Sequence, residues 1–198
     1  VPAEHTWLIP DDVEMPEAAV VPISFATAHY CLFTRGMLRH GETVLIQAAA
    51  GGVGLAAVQL ASQAGATVIA VASGTQRRSR LLELGADHVV DRAEHNIVDR
   101  VRQYTQGTGV DLVIDPMGTT LPASLSALAP EGRLVFVGNA GGGSLTVDLW
   151  SPMQSNQTLM GVFMGPLFAR PGVRASVDDL LQAVAAGRIK VVIDRIFP

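Results

Sequence analysis

The sequence predicts an α/β fold: a doubly wound, mostly parallel sheet of about six strands with helices on both faces. Three observations carry that prediction. Short apolar, β-branched runs alternate along the chain with segments of helical pattern. Those runs have no polar face, as expected of strands covered on both sides. The first of them, Thr43-Val44-Leu45-Ile46-Gln47, passes through a glycine-rich turn, Ala48-Ala49-Ala50-Gly51-Gly52-Val53-Gly54, directly into an apolar helix beginning Leu55-Ala56-Ala57-Val58.

The elements follow in order. Residues 1–17 carry Pro2, Pro10 and Pro16 among polar residues and read as an arm or linker. Residues 18–37 have a helical pattern, with a break expected at Pro22. Gly41-Glu42 leads into the first strand. Residues 67–72 (TVIAVA) are a strand, and residues 76–84 a helix stopped by Gly85. Residues 88–90 are a short strand, and residues 94–106 a helix stopped by Gly107. Residues 110–114 (VDLVI) are a strand, 119–128 a helix and 133–137 (RLVFV) a strand. Residues 157–164 (QTLMGVFM) predict another strand, and 176–186 an amphipathic helix ended by Gly187. Gly141-Gly142-Gly143 reads as a mobile turn. Residues 190–198 are apolar and strand-like, unlike the loose polar terminus of most chains, which predicts a domain of a longer protein.

Composition narrows the functional classes. A chain of 198 residues suffices for one domain with a full core. An apolar content of 48% and positive mean hydropathy exclude a disordered chain. No apolar run reaches the roughly 18 residues of a membrane span, and the start lacks a basic region ahead of a hydrophobic stretch, so neither a membrane anchor nor a signal peptide is expected. The one cysteine, Cys31, excludes an internal disulfide and a four-thiolate zinc lobe, and a cytoplasmic location is the expectation. A net charge of −4 argues against nucleic acid as a partner. Lys190 is the one lysine, so no G-x-x-x-x-G-K-[ST] phosphate loop exists, which removes the kinase and ATPase readings. Neither Tyr30 nor Tyr104 is followed four residues later by lysine, which excludes a short-chain dehydrogenase.

The glycine turn has the form of a dinucleotide-binding (Rossmann) turn. Gly51 lets a pyrophosphate approach the backbone with no Cβ in the way, and Gly54 lets the helix pack close to the strand. The helix starts at the turn, so its free N–H groups and the positive end of its dipole face the phosphates. Ala49 stands where the fingerprint has its first glycine, but the strand before and the helix after supply the required context. Ala50, Gly51, Gly52, Val53 and Gly54 are the candidate contacts. A merely structural turn needs fewer glycines.

The second strand indicates which dinucleotide. An NAD site places Asp or Glu at the end of that strand for the ribose hydroxyls. Here it ends Ala72-Ser73-Gly74-Thr75-Gln76-Arg77-Arg78, with no carboxylate. Ser73 and Thr75 can donate hydrogen bonds, and Arg77 can pair with a 2′-phosphate, an interaction that contributes roughly 1.5–3 kcal/mol. NADPH is therefore expected over NADH. Arg78 and Arg80 fit the solvated face of a helix. A methyltransferase, which also wants an acidic residue after the second strand, is disfavoured.

Glu17-Ala18-Ala19, Ala26-Thr27-Ala28-His29-Tyr30, the glycine turn, Leu84-Gly85-Ala86-Asp87, Gly109-Val110-Asp111-Leu112-Val113, Asp115-Pro116-Met117-Gly118 and Gly132-Arg133-Leu134-Val135 run in order over nearly the whole chain. In these pieces the chain resembles the nucleotide-binding domain of medium-chain dehydrogenases/reductases, most of all the zinc-independent quinone oxidoreductase branch. The resemblance implies that residues 1–20 lead from a GroES-like catalytic domain, 21–190 form the dinucleotide-binding domain, and 191–198 begin the return. It places Thr27, Gly52, Val53, Ser73, Arg77, Gly138 and Asn139 against the cofactor, and Phe163 and Met164 near the nicotinamide. Arg92 stands where many relatives have a tyrosine near the adenine; an arginine there could stack on the base or point to water. Zinc enzymes of the family place a cysteine ligand where this chain has Ile23, which argues against zinc.

The activity implied is hydride transfer from NADPH to a quinone or α,β-unsaturated carbonyl, with no catalytic residue assigned in this chain. The alternatives are an enoyl reductase module of a polyketide or fatty-acid synthase, a non-catalytic nucleotide-binding module and a zinc-dependent alcohol dehydrogenase. Relatives often dimerise through strands near residues 145–149 and 158–163, where Leu145, Val147, Leu149, Leu159 and Val162 could form an apolar edge. Asp115 fits a turn-forming carboxylate rather than a catalytic acid.

Overall fold

Parallel strands need crossover helices, and the alternation of runs supplies one between successive strands. A computed structural model describes residues 3–196. Six strands, β1 (Thr43–Ile46), β2 (Thr67–Val71), β3 (His88–Val90), β4 (Val110–Asp115), β5 (Leu128–Phe136) and β6 (Thr158–Gly161), form one sheet in the order β3-β2-β1-β4-β5-β6. Every pairing is parallel, with Leu45 opposite Ile69 on one side and Val113 on the other. Strand order reverses between β1 and β4, which opens a crevice at their carboxyl ends.

Successive side chains of a strand enter opposite layers. Val44, Ile46, Val68, Ala70, Leu112 and Ile114 join one core; Leu45, Ile69, Val71 and Val113 join the other. The first core lies under helices α1 (Met15–Val20), α2 (Ala26–His29), α3 (Gly52–Gln63) and α8 (Pro171–Ala185). The second lies under α5 (Ile97–Tyr104) and α6 (Leu121–Ala127). Two further helices, α4 (Thr75–Glu83) and α7 (Trp150–Gln154), complete the set among the described residues. The sheet buried on both faces is the architecture the sequence predicts.

Several boundaries differ from expectation. Within the predicted arm, Ala3–His5 form a short 3-10 turn and α-helix begins at Met15, with Val13 and Ala18 buried, and Pro22 does not break the helical path. Proline removes an amide and crowds the preceding turn, and the helix accommodates this by widening over Val21–Phe25, with a second wide segment at Tyr30–Arg35. Helix α5 starts three residues later than predicted because Asn96 caps it, its side chain accepting from the amides of Val98 (2.9 Å) and Asp99 (3.3 Å). Helix α6 is shorter than residues 119–128: Leu128 already pairs with Val110, and the chain bulges before Arg133 rejoins the ladder opposite Leu112. Strand β6 covers four residues of the predicted 157–164, and α8 starts at Pro171. Residues 145–149 form no strand, and neither do 190–196. The remaining ends of the predicted arm and tail, residues 1–2 and 197–198, lie outside the described residues.

Candidate functional site

At the end of β1 the chain turns sharply. Ala48 has φ of 47°, the Ala49 amide donates to Val71 O (2.9 Å) and the Gly51 amide to Ala48 O (2.9 Å). Helix α3 then starts at Gly52 with no side-chain cap. Among the described residues nothing accepts from the amides of Gly52, Val53 and Gly54, so three N–H groups and the positive helix end remain available.

The three glycines serve different needs. A Cβ on Gly54 would lie 2.5 Å from Ala49 Cα, so this glycine is required for helix–strand packing. A Cβ on Gly52 would meet Ser24 Oγ at 2.7 Å. At Gly51 the protein asks for no glycine: φ is −83°, and a Cβ would meet only Ala48 O at 3.4 Å. The fold therefore leaves open space beside Gly51 that its own packing does not use.

A cavity of about 320 Å³ begins at this turn, lined by Gln47, Ala48, Ala50, Gly51, Val71, Ala72, Ser73, Arg77, Arg92, Met117 and Thr120. It lies at the carboxyl ends of β1, β2 and β4. An adjoining cavity of about 620 Å³ shares Ala50 and Arg77 and adds Gly52, Gln76, Arg80 and Asp194. Arg77 and Arg92 are exposed and have no hydrogen-bond or ion-pair partner among the described residues. The Ser73 hydroxyl oxygen is buried beside the Asp91 carboxylate and makes no hydrogen bond of normal geometry among the described residues. A buried polar atom without a full hydrogen bond costs about 1–3 kcal/mol, which a polar group entering the cavity would recover.

Asp91 sets the rim. Its carboxylate accepts from the Gly74 amide (3.0 Å) and the Ala93 amide (2.9 Å), tying the turn that precedes Arg77 to the turn that carries Arg92. These two backbone bonds, with the nearby Ser73 hydroxyl adding to them without normal hydrogen-bond geometry, hold its pKa below the usual carboxylate range. Asp91 does not line the first cavity.

The structure thus brings Ala50, Gly51, Ser73, Arg77 and Arg92 to one cavity and Gly52 to the next. Val53 and Gly54 pack behind the turn, and Thr27 is buried on α2. Gly138 and Asn139 follow β5, where Asn139 Nδ2 donates to Gly143 O (2.9 Å). After β6, Phe163 is 81% exposed while Met164 is buried. None of these last four lines the first cavity.

Sequence reasoning missed Gln47, Met117 and Thr120. A polar residue closing an otherwise apolar buried strand was the signal for Gln47. Beneath them Asp115, fully buried, accepts from the amides of Met117 (2.8 Å) and Gly118 (3.1 Å), from Thr120 Oγ1 and from Ser124 Oγ (2.7 Å). It is the turn-forming carboxylate expected. Cys31 is fully buried, its thiol pushed up to about 12 by that burial, which fits a core residue. Among the described residues no three His, Cys, Asp or Glu side chains gather as a metal would need, and no helix is long and apolar enough to cross a membrane.

A six-stranded parallel sheet with a glycine turn and a cavity of about 320 Å³ at its switch point defines a dinucleotide-binding domain. The sequence profile of the family described as zinc-binding dehydrogenases matches residues 52–186. The chain is 34% identical over 203 residues to quinone oxidoreductase-like protein 2 of Bos taurus, covering 98% of this chain and 57% of that protein. It is 42% identical over 142 residues to the compactin diketide synthase mlcB of Penicillium citrinum, covering 69% of this chain and 6% of that one. The Escherichia coli quinone oxidoreductase complexed with NADPH superposes with a TM-score of 0.87 at 29% identity, covering 96% of this chain and 60% of that one. The chain belongs to the medium-chain dehydrogenase/reductase superfamily, in its quinone oxidoreductase-like branch. It spans about 57% of the bovine relative's length.

Proposed function

We propose that the chain is the NADPH-binding part of a zinc-independent oxidoreductase acting on a quinone or an α,β-unsaturated carbonyl compound. One observation carries the reading: a helix start with three unspent amides adjoins a cavity lined by Ser73 and by two guanidiniums, Arg77 and Arg92, that have no partner among the described residues. That donor set suits a diphosphate at one end and a second phosphoryl group at the other. The amides of Gly52, Val53 and Gly54 would hold the diphosphate, and Ser73, Arg77 and Arg92 the 2′-phosphate. Thr27, Gly138, Asn139, Phe163 and Met164 are proposed for the nicotinamide half. When bound, the cofactor supplies the hydride, and the chain's part is to bind, orient and shield it.

Ile23, 60% exposed at the position of a family zinc ligand, supports zinc independence. The similarity to a polyketide synthase supports an enoyl reductase module as the second reading. The domain limits given above (a leading segment 1–20, a cofactor domain 21–190 and a return from 191) belong to this proposal. So does a homodimer through the β6 edge, where Leu145 and Leu149 are exposed while Val147, Leu159 and Val162 are half-buried. The test is NADPH oxidation by the protein across a panel of quinones and enones, with and without a chelator. Turnover that survives chelation supports the proposal. Tight NADPH binding with no turnover would instead support a non-catalytic binding module.

A further inference from the structure

We propose that the floor of the first cavity reads the 6-amino group of a purine, so that the protein selects an adenine dinucleotide over its 6-oxo (hypoxanthine) counterpart; this rests on the NADPH reading above. The argument is an accounting of protons. A serine or threonine hydroxyl has one proton to donate, and an ionised carboxylate has none. Ser124 gives its proton to Asp115 Oδ2 at 2.7 Å. Thr120 gives its own to the same carboxylate, at 2.8 Å from Oδ1 and 2.7 Å from Oδ2. Neither hydroxyl can donate again.

Ser124 can therefore only accept from Gln47, and it does, from Nε2 at 3.1 Å. This fixes the amide. Turned over, it would set Oε1 against an oxygen with no proton between them. Gln47 and Thr120 both line the cavity, and Gln47 Oε1 accepts no hydrogen bond among the described residues. The buried Asp115 thus makes the floor a surface of acceptors, complementary to a donor.

An adenosine 2′-phosphate carries few donors. Its phosphate oxygens and ring nitrogens accept; the amine at C6 and the ribose 3′-hydroxyl donate. The sugar bearing the phosphate belongs at the Ser73 rim. The amine belongs to the flat base, and Val71, Ala72 and Met117 provide the apolar walls such a ring needs. Gln47 Oε1 is the free acceptor that amine would meet, whereas a 6-oxo group would place oxygen against oxygen.

The experiment compares dissociation constants for NADPH and its hypoxanthine analogue by fluorescence titration. The unmodified protein should prefer NADPH by about tenfold or more, as a site built to meet a hydrogen bond does against an analogue that lacks it. Gln47→Leu removes the acceptor and should bring the ratio near unity. Ser124→Ala releases the amide to turn and should also collapse the ratio while NADPH still binds. Equal affinity of the unmodified protein for both nucleotides, which needs no variant to measure, overturns the inference. So does a preference that survives Gln47→Leu. Failure of both nucleotides to bind overturns the cofactor reading itself, and this inference with it.

Discussion

Replacing Arg77 with alanine isolates the claim that this chain recognises the 2′-phosphate. Arg77 lines both cavities and has no counter-ion among the described residues, so its charge is free to meet a ligand. A charge-assisted hydrogen bond contributes about 1.5–3 kcal/mol, and the exposure of this side chain places it toward the lower end. Solvent screening decides that: a pair at 4 Å is worth about 1 kcal/mol in bulk water and about 4 kcal/mol near a protein surface. Arg92 retains part of the phosphate's field in the single variant. The expected loss is therefore about tenfold for NADPH, and on the order of a hundredfold for Arg77→Ala with Arg92→Ala, at a salt where the screening length is about 8 Å. NADH lacks the phosphate and should bind the variants unchanged. Parallel titrations of NADPH and NADH at two salt concentrations measure all of this. Equal losses for the two nucleotides would refute the assignment.

Three further predictions concern the fold around the site. Gly54→Ala forces a Cβ to 2.5 Å from Ala49 Cα and should cost about 1–3 kcal/mol, a Tm reduction of several degrees, whereas Gly51→Ala should leave Tm unchanged and abolish most NADPH binding; a calorimetric scan with a binding titration separates the two, and a stable Gly54→Ala would contradict the packing role. Asp91 has a folded-state pKa below its unfolded value, so its stabilisation is full at neutral pH and is lost as pH falls below the usual carboxylate range; a carboxyl-carbon NMR titration with a midpoint at or above the ordinary aspartate value would contradict this. Cys31, with its thiol at about 12, should react with iodoacetamide at pH 8 only after unfolding, and rapid labelling of the native protein would show the burial wrong.

What could be read from the sequence was what local chemistry determines. The strand-turn-helix from Thr43 to Gln63 was legible because the apolar run, the glycines and the helix start all fall within one short segment. His88–Val90 was legible between Gly85 and the polar stretch that follows. Pro22 misled because a proline rule sees the lost amide but not the widened turn that absorbs it. The first pair of β5 was hidden because Pro130-Glu131-Gly132 has the composition of a turn, yet here forms a bulge within a strand. That Ser73 and Arg77 lie together was legible, since they flank the start of one helix and reach the same cavity. The floor was not: Gln47 meets Ser124 across 77 positions, and no local pattern encodes that contact. Likewise, nothing near Arg92 reveals that Asp91 ties its turn to Gly74.

A crystal structure of the protein grown with NADPH tests the central claim most directly. The account predicts diphosphate oxygens within hydrogen-bond distance of the amides of Gly52, Val53 and Gly54, and the 2′-phosphate between Arg77 and Arg92. Cofactor bound anywhere else, or density absent at saturating NADPH, would contradict it.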